Sequence, residues 1–418
     1  MNRPFHFFSI LLGAACIGAC AVPSARVQSS PVEETPAPSA PTLQTSAPET
    51  PSILESAPSE SVVEEVQKHK IVRVLLAENQ PEAFIKHSNR VNILTQDETK
   101  KYKISQAGTV AVKGLANGQI QVGTLKATQP VWIEPAGSSL EWKNNSYTGK
   151  FLILPGTGST FSIVEYVKLE DYLYGVLPYE MSPSWPVEAL KAQAVAARTY
   201  TLKSLENVKN KNFDLYSDVR SQMYRGNGKH YDNVTRAINE TKGEILTYQD
   251  ALFFTYYHAN CGGATDDVSS WHFSTKSIKP LSGASCNFDS HSKSYSWSMT
   301  VPTSKVEKYA QSVGLKGTLK SIRIVRKTST GRATNLTIST TKGSKTVPCG
   351  AFRLATGIRS CKITRVTTTT KGVQFAGRGY GHGIGMCQDG AYGMAKKNHS
   401  YKEILKHYYP GASLEQLK

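Results

Sequence analysis

Short apolar runs separated by turn residues dominate the chain from residue 70 to about residue 158. Each has the length and β-branched character of a strand, and Gly-Thr or Asn-Gly pairs stand between them. The clearest runs are residues 71–76, 90–94, 109–112, 130–133 and 151–154. We therefore predict a small β-rich domain over residues 70–158, and no catalytic constellation is recognisable in it.

A helical pattern follows in the second half. Trp185-Pro186-Val187-Glu188 carries start signals, and apolar positions recur at helical spacing to about residue 205. Its many alanines predict close packing and a central place. A capping box at residues 400–403 predicts a second helix. Because strand-like runs such as 321–325 and 335–338 are segregated from these helices, we predict an α+β fold, with a mixed domain over residues 159–418.

The first 70 residues have a different composition. One positive charge, an apolar run over residues 7–19 and the ending Ile17-Gly18-Ala19-Cys20 predict a lipoprotein signal peptide over residues 1–20, with Cys20 lipidated. An ordinary secretory signal is the alternative. Residues 27–67 contain seven Pro, seven Glu and no Lys or Arg, so we predict a disordered tether over residues 21–69. The expected location is outside the cell, anchored to a membrane and facing the periplasm or wall.

Charge narrows the choice of partner. The formal net charge is +17 although the tether is acidic, so the remainder is more basic still. A basic surface suits an anionic polymer. An exported protein rarely meets nucleic acid, whereas glycan strands stripped of stem peptides expose a lactyl carboxylate on each disaccharide. A generally basic surface without a specific partner is the alternative.

Glu180 is the candidate catalytic carboxyl. Its sequence neighbours, from Val176 to Trp185, are mostly apolar or aromatic. If they also surround it in space, desolvation raises its pKa toward the range of a general acid, while the start of the following helix would oppose that shift. A surface or capping glutamate is the alternative. Glu170, Asp171 and Glu188 lie nearby, and we expect structural roles for them.

Four segments together resemble the stage II sporulation protein D (SpoIID) family, which includes the LytB-type amidase enhancers. The resemblance covers roughly residues 160–412. In order, the segments are Leu169-Glu170-Asp171-Tyr172-Leu173-Tyr174-Gly175-Val176 through Glu180-Met181 to the Ala-rich helix, Ser221-Gln222-Met223-Tyr224-Arg225-Gly226, residues 258–265 with Gly262-Gly263, and Gly379-Tyr380-Gly381-His382-Gly383-Ile384-Gly385-Met386-Cys387-Gln388-Asp389-Gly390-Ala391.

Active members of that family are lytic transglycosylases acting on peptidoglycan that lacks stem peptides. The resemblance implies that Glu180 protonates the bridging oxygen and then accepts the proton of the muramyl 6-hydroxyl, which gives a 1,6-anhydro end. One carboxyl suffices, whereas a hydrolase usually needs two. The alternative is a non-catalytic wall-binding protein that recruits or stimulates an amidase.

Candidate substrate contacts accompany Glu180. They are Tyr179, Trp185, Gln222, Tyr224, Arg378, Tyr380 and His382. The aromatic residues could stack on sugars or belong to the core, and His382 could bind substrate, assist Glu180 or be structural. Alternating glycines over residues 377–385 would leave one face of an extended segment bare, for a sugar or for a packed helix. For Arg198 we expect a buried ion pair.

Five cysteines remain after the leader. In an exported protein disulfides are the first expectation, and we pair Cys349 with Cys361 and Cys261 with Cys286, which leaves Cys387 unpaired. Alternatively, His258, Cys261 and Cys286 with His272 or His291 could hold zinc. No cofactor is required by the predicted chemistry.

Overall fold

The structure, a computed structural model, describes residues 71–206, 212–270 and 276–417. The predicted leader, the lipidated Cys20 and the tether lie outside these residues, as does His272. The described part is β-rich up to residue 168 and contains both helices and strands after it, which confirms the α+β prediction. No helix there combines the length and apolar composition needed to cross a bilayer.

Seven α-helices are present in the described residues: α1 Leu169–Glu180, α2 Val187–Glu206, α3 Asp232–Glu240, α4 Thr303–Ser312, α5 Cys349–Thr356, α6 Gln388–Lys396 and α7 Tyr401–Tyr408. The strands before α1 are β1 Ile71–Gln80, β2 Glu82–His87, β3 Val91–Thr95, β4 Lys101–Ile104, β5 Gly108–Gly114, β6 Ile120–Val122, β7 Leu125–Ala127, β8 Val131–Pro135, β9 Leu140–Trp142, β10 Asn145–Tyr147, β11 Lys150–Pro155 and β12 Phe161–Lys168. The later strands are β13 Leu215–Tyr216, β14 Glu244–Tyr248, β15 Ala251–Leu252, β16 Tyr257–His258, β17 Ser296–Val301, β18 Leu319–Lys327, β19 Ala333–Thr340, β20 Gly343–Pro348, β21 Ile363–Thr369, β22 Gly372–Arg378, β23 Met386–Cys387 and β24 Ser413–Gln416.

The N-terminal strands form two sheets over a shared core. One sheet has the order β13-β1-β12-β11-β8-β3-β4 and the other β10-β9-β2-β5-β6-β7. Strand β2 alternates exposed and buried side chains, as expected where one face meets solvent. Strands from both sides of residue 158 share the first sheet, since β12 pairs with β1 and β11. The domain boundary at residue 158 stays a prediction.

Helix α2 lies at the centre, as its alanines predicted. Its small side chains are fully buried and let α1, α3, α6 and α7 approach closely. Arg198, on the same helix, is fully buried and donates from Nε and Nη2 to the two carboxylate oxygens of Glu170, both over 2.8 Å. A buried guanidinium needs such a partner, so this expected ion pair fixes the start of α1 against α2.

Residues 296–378 form a unit with its own hydrophobic core. It contains the sheets β17-β22-β21 and β18-β19-β20 with helices α4 and α5, packed around Phe352 and Phe375. The chain enters and leaves it between β16 and β23, which pair in parallel. This stretch carries sixteen Lys and Arg but a single acidic residue, Glu307. Most of the excess positive charge of the protein is therefore concentrated here.

Candidate functional site

Glu180 is the last residue of α1 and is partly exposed. The backbone N–H of Met223 donates to Oε1 of Glu180 over 2.8 Å, and Nε2 of Gln388 donates to Oε2 over 3.4 Å. Three distant segments thus meet at one carboxyl, and each carboxyl oxygen has a donor. The arrangement holds the side chain in one orientation while leaving part of it accessible.

Burial raises the pKa of Glu180 above its usual range, although the donors Met223 and Gln388 lower it. From the sequence, we expect the start of the following helix to oppose this shift. In the structure Glu180 instead lies at the carboxyl end of α1, where the helix dipole disfavours an anion. The local backbone and the desolvation therefore act in the same direction, toward a carboxyl that is protonated at higher pH than a free glutamate.

Gln222 and Tyr224 were expected to contact substrate, but both side chains are buried. Gln222 donates to Oγ1 of Thr201 over 2.8 Å and accepts from the hydroxyl of Tyr257 over 2.8 Å. Because neither side chain can reach a glycan, the expectation is corrected: these residues fix the segment that carries the Met223 amide.

A second buried carboxyl, Glu165 on β12, lies beneath that segment. It is fully buried and accepts from the hydroxyl of Tyr224 over 2.8 Å and from the N–H of Gly149 over 3.1 Å. Burial raises the pKa of Glu165 to about 8. Glu165 was not predicted as a site residue, because it lies in a strand and belongs to no recognisable motif. Its lack of solvent contact gives it a supporting role.

Aromatic side chains line the surroundings of Glu180. Burial, and to a smaller degree the charge of Glu180, raises the pKa values of Tyr172, Tyr200 and Tyr257, that of Tyr200 to about 12. The Tyr200 ring packs at 5.5 Å from Phe254, which stacks at 5.6 Å on Tyr256. Four of these rings are partly exposed, and we call them the aromatic wall: Tyr200, Phe254, Tyr256 and Tyr257.

Two surface clefts lie beside residues that neighbour Glu180 in sequence, although Glu180 itself lines neither of them. One, about 330 Å³, is lined by Tyr179, Arg225 and Lys229 together with Glu141 and residues 144–146 of the β-rich region. The other, about 660 Å³, is lined by residues 182–184 and 230–233. Tyr179 is exposed, as a sugar contact requires.

Trp185 lies at the other end of this turn. It is half-buried, and its ring lies 5.0 Å from that of Tyr392. Its assignment as a substrate contact stays a prediction, as does that of Tyr179.

The glycine-rich segment before α6 does not have the extended conformation on which a bare face would depend. Gly379, Gly381, Gly383 and Gly385 all have positive φ. A side chain at Gly385 would place its Cβ 2.0 Å from the carbonyl oxygen of Tyr256. Other parts of the protein therefore occupy the space beside these glycines, and no room is left there for a sugar.

The three polar candidates of this segment differ in exposure. Arg378 is exposed with its guanidinium over the Tyr295 ring, and Tyr380 is 48% exposed. Burial, with Arg353 as the next cause, lowers the pKa of His382 to about 3. Nδ1 of His382 accepts from the N–H of Ile384, and the ring meets Tyr256 of the aromatic wall edge-on. A neutral, anchored imidazole fits a structural role beside the site, while Arg378 and Tyr380 remain predicted contacts.

The cysteines divide into two groups. Cys349 and Cys361 form the disulfide that was expected. It lies within residues 296–378, which we call the basic unit. Cys261 and Cys286 are not paired as predicted. Both are free and buried, and they group with Cys387 and Asp289, with all four ligand atoms within 4.8 Å of one another. The expected pair is thus replaced by a four-residue cluster.

The cluster also differs from the set of zinc ligands that the sequence suggested. His291 stacks near Tyr392, and Nδ1 of His258 lies beside the carbonyl of Ile384, so neither histidine belongs to the group. Neither Cys387 nor Asp289 was among the predicted ligands.

The chain belongs to the SpoIID family. The family model for stage II sporulation protein matches residues 157–248. An uncharacterized protein of Brachyspira hyodysenteriae is 36% identical over 273 residues, which is 64% of this chain and 72% of that protein. Stage II sporulation protein D of Bacillus amyloliquefaciens is 29% identical over 279 residues, 60% of this chain and 76% of its own. The amidase enhancer of Bacillus subtilis is 32% identical over 292 residues, 58% of this chain but 40% of its own length.

Proposed function

We propose that the protein is an exported lytic transglycosylase that cleaves peptidoglycan glycan strands, with Glu180 as the only acid and base. The observation that carries the proposal is the partly exposed carboxyl of Glu180, whose pKa burial raises. A carboxyl with a raised pKa keeps its proton to higher pH than a free glutamate does, and it can donate that proton to a leaving oxygen.

The reaction then follows in two proton transfers. Glu180 gives its proton to the oxygen between N-acetylmuramic acid and the next sugar as that bond to C1 breaks. The resulting carboxylate is stabilised by the donors Met223 and Gln388. It next accepts the proton of the muramyl 6-hydroxyl as that oxygen bonds to C1. No water enters, the glutamate regains its proton, and the product carries a 1,6-anhydro ring.

Substrate binding is assigned to surfaces on both sides of this carboxyl. The aromatic wall offers partly exposed rings for stacking on pyranose faces. In the cleft beside Tyr179, Arg225 and Lys229 supply cations for the lactyl carboxylates of strands that lack stem peptides. The basic unit at residues 296–378 extends this attraction over a longer polymer.

The test is digestion of denuded glycan strands by the purified protein, followed by mass spectrometry. We expect fragments lighter by one water than hydrolysis products, and their loss in Glu180→Gln. Glu206→Gln, at the end of α2 and exposed, is the matched control and keeps full activity. Hydrolytic products, or equal cleavage by Glu180→Gln, would refute the assignment.

A second candidate function is stimulation of a wall amidase without cleavage, which the name of the Bacillus subtilis relative favours. Strand binding that is equal in wild type and Glu180→Gln, with no cleavage by either and with faster release of stem peptides by an added amidase, would select this function. Lipid anchoring through Cys20 belongs to either proposal, and metabolic labelling with a fatty acid tests it in wild type and Cys20→Ala.

A further inference from the structure

We propose that Cys261, Cys286, Cys387 and Asp289 bind one structural zinc ion, here called the Cys₃Asp site. The four side chains come from three separate segments: the loop after β16, the loop before β17, and β23. Their candidate ligand atoms all lie within 4.8 Å of one another. A tetrahedral zinc with Zn–S bonds of about 2.3 Å has sulfur atoms about 3.8 Å apart, so small side-chain rotations complete the geometry.

Asp289 provides an independent sign that a cation belongs here. The residue is fully buried, and Oδ2 accepts from the N–H groups of Gly262 over 2.8 Å and Gly263 over 3.2 Å. Oδ1 is also buried, yet it has no hydrogen-bond partner among the described residues. The other oxygen, Oδ2, faces the sulfur of Cys261 over 3.1 Å. A cation held by this carboxylate and the sulfur atoms would offset the cost of burying the carboxylate with one oxygen unpartnered.

Hydrogen-bond donors surround two of the three sulfur atoms, and the third, Sγ of Cys261, lies 3.1 Å from Oδ2 of Asp289. Sγ of Cys387 accepts from the N–H of Cys261 over 3.2 Å and of Gly390 over 3.3 Å. Sγ of Cys286 lies 3.1 Å from the hydroxyl of Tyr408. Donors of this kind stabilise thiolate charge and orient the ligands around a metal. The guanidinium of Arg332, which donates to the carbonyl of Cys261, adds positive charge beside the cluster.

A disulfide explains the cluster less completely. Three cysteines can form only one disulfide and leave one thiol over, and a carboxylate has no part in that bond. Calcium and magnesium prefer oxygen ligands, so three thiolates exclude them. Three sulfurs with one oxygen in a closed, buried tetrahedron suit zinc in a structural role.

A zinc ion at this site would stabilise the segments that pack behind Glu180. Cys387 immediately precedes Gln388, whose amide reaches Glu180, and Cys261 lies three residues after His258 of β16, which pairs with β23. Zinc would therefore hold both segments behind the carboxyl. This consequence rests on the proposed function, whereas metal binding itself does not.

The test begins with the metal content of the full chain, purified without chelator, by inductively coupled plasma mass spectrometry. We expect one zinc per chain, and an X-ray absorption spectrum with three sulfur neighbours at about 2.3 Å and one oxygen. Cys286→Ser and Asp289→Asn lose the metal. The double variant Cys349→Ser with Cys361→Ser removes the same kind of atom outside the cluster and keeps it.

Tyr408→Phe guards against a folding artefact, because it removes only a hydroxyl and keeps the buried ring. It should weaken zinc affinity by about tenfold or more, as second-layer changes do. Absence of zinc from the wild type, a different metal, or a disulfide among Cys261, Cys286 and Cys387 in peptide mapping would overturn the proposal. A zinc-loaded protein that cuts no glycan would leave the site intact and refute the proposed function instead.

Discussion

The backbone N–H of Met223 donates to Oε1 of Glu180 over 2.8 Å, although the two residues stand 43 positions apart. The donor belongs to the main chain, so its placement depends on how the segment over residues 221–226 is held. Gln222 fixes that segment from the side of α2, and Gly226 fixes it from the side of the β-rich region. The orientation of the candidate acid thus depends on Gln222 and Gly226 as well, because they position the Met223 amide that contacts it.

Gly226 gives the first prediction. Its φ is +69°, and an added Cβ would lie 2.2 Å from the carbonyl oxygen of Ser146. We expect Gly226→Ala to lower the free energy of unfolding by about 2–4 kcal/mol, through backbone strain plus the clash, and to reduce cleavage at least tenfold. Urea denaturation and product release from denuded strands measure the two effects.

Gly158 is the matched control. Its φ is +64°, yet nothing lies within 4 Å of an added Cβ. Gly158→Ala should therefore cost only about 1 kcal/mol and leave cleavage unchanged. Equal losses in both variants would show that contact with Ser146 is irrelevant.

Gln388 gives the second prediction, on pH dependence. Its amide favours the ionised form of Glu180, so removing it raises the pKa of that carboxyl further. An acid acts in its protonated form, so the fall of activity at high pH should shift to higher pH in Gln388→Ala. Gln311→Ala, exposed on α4, serves as the control in the same kcat/KM profiles. A shift to lower pH would contradict the role assigned to this amide.

Glu165 gives the third prediction, on stability. Its pKa is about 8 in the folded protein and 4.5 in a free side chain, so between these values the folded state binds a proton that the unfolded state has lost. Its contribution is full below pH 4.5 and declines as pH rises toward 8. Glu165→Gln should flatten that decline and stabilise the protein at pH 8 by roughly 2–4 kcal/mol.

Thermal unfolding between pH 5 and 8 checks this expectation. Glu82→Gln, an exposed carboxyl on β2, should reproduce the wild-type slope. A slope in Glu165→Gln that equals the wild-type slope would mean that the buried carboxyl is ionised in the folded protein over this pH range.

The basic unit gives the fourth prediction. Lys320, Arg323 and Lys342 are exposed on it, and their joint replacement by Glu should weaken binding to long denuded strands at least tenfold at low salt. The dependence of binding on salt should also become shallower. Cleavage of a short soluble fragment should stay unchanged, because Glu180 is untouched.

The same change of charge elsewhere supplies the control. Lys86, Lys100 and Lys126 are exposed in the β-rich region, and their replacement by Glu alters the net charge equally. If both triple variants lose the same affinity in co-sedimentation with glycan, the net charge acts as a whole and the basic unit has no special part.

Local patterns predicted the elements well where one face is buried and one exposed. The central helix, the capping box of α7 and the pairing of Arg198 with a carboxylate were all recognisable, because each depends on residues close in sequence or on the cost of a buried charge. Glu180 was singled out through its apolar neighbours and the family resemblance, and the upward shift of its pKa agrees with the apolar surroundings that were expected.

The sequence did not predict which residues from distant segments lie in contact. Gln222 and Tyr224 belong to a recognisable motif, yet only the fold shows that they face inward. Asp289 carries no motif at all, and its place beside three cysteines depends on loops that close from different directions. The separate core at residues 296–378 was likewise not predicted, because its strands resemble those of the N-terminal region and its excess of Lys and Arg does not indicate a core of its own.

The parallel pairing of β16 with β23 also has a consequence for the order of folding. The two strands are very short and are joined only after the whole basic unit has been traversed, so their association closes a long loop and should be among the slowest events. We expect the contact between Gln388 and Glu180 to form last. Pulsed hydrogen exchange would detect this as late protection of the backbone N–H of Gln388. Under the proposed function, a chain that has not closed this loop would carry Glu180 without the amide of Gln388, and the candidate acid would be incomplete until β16 and β23 pair.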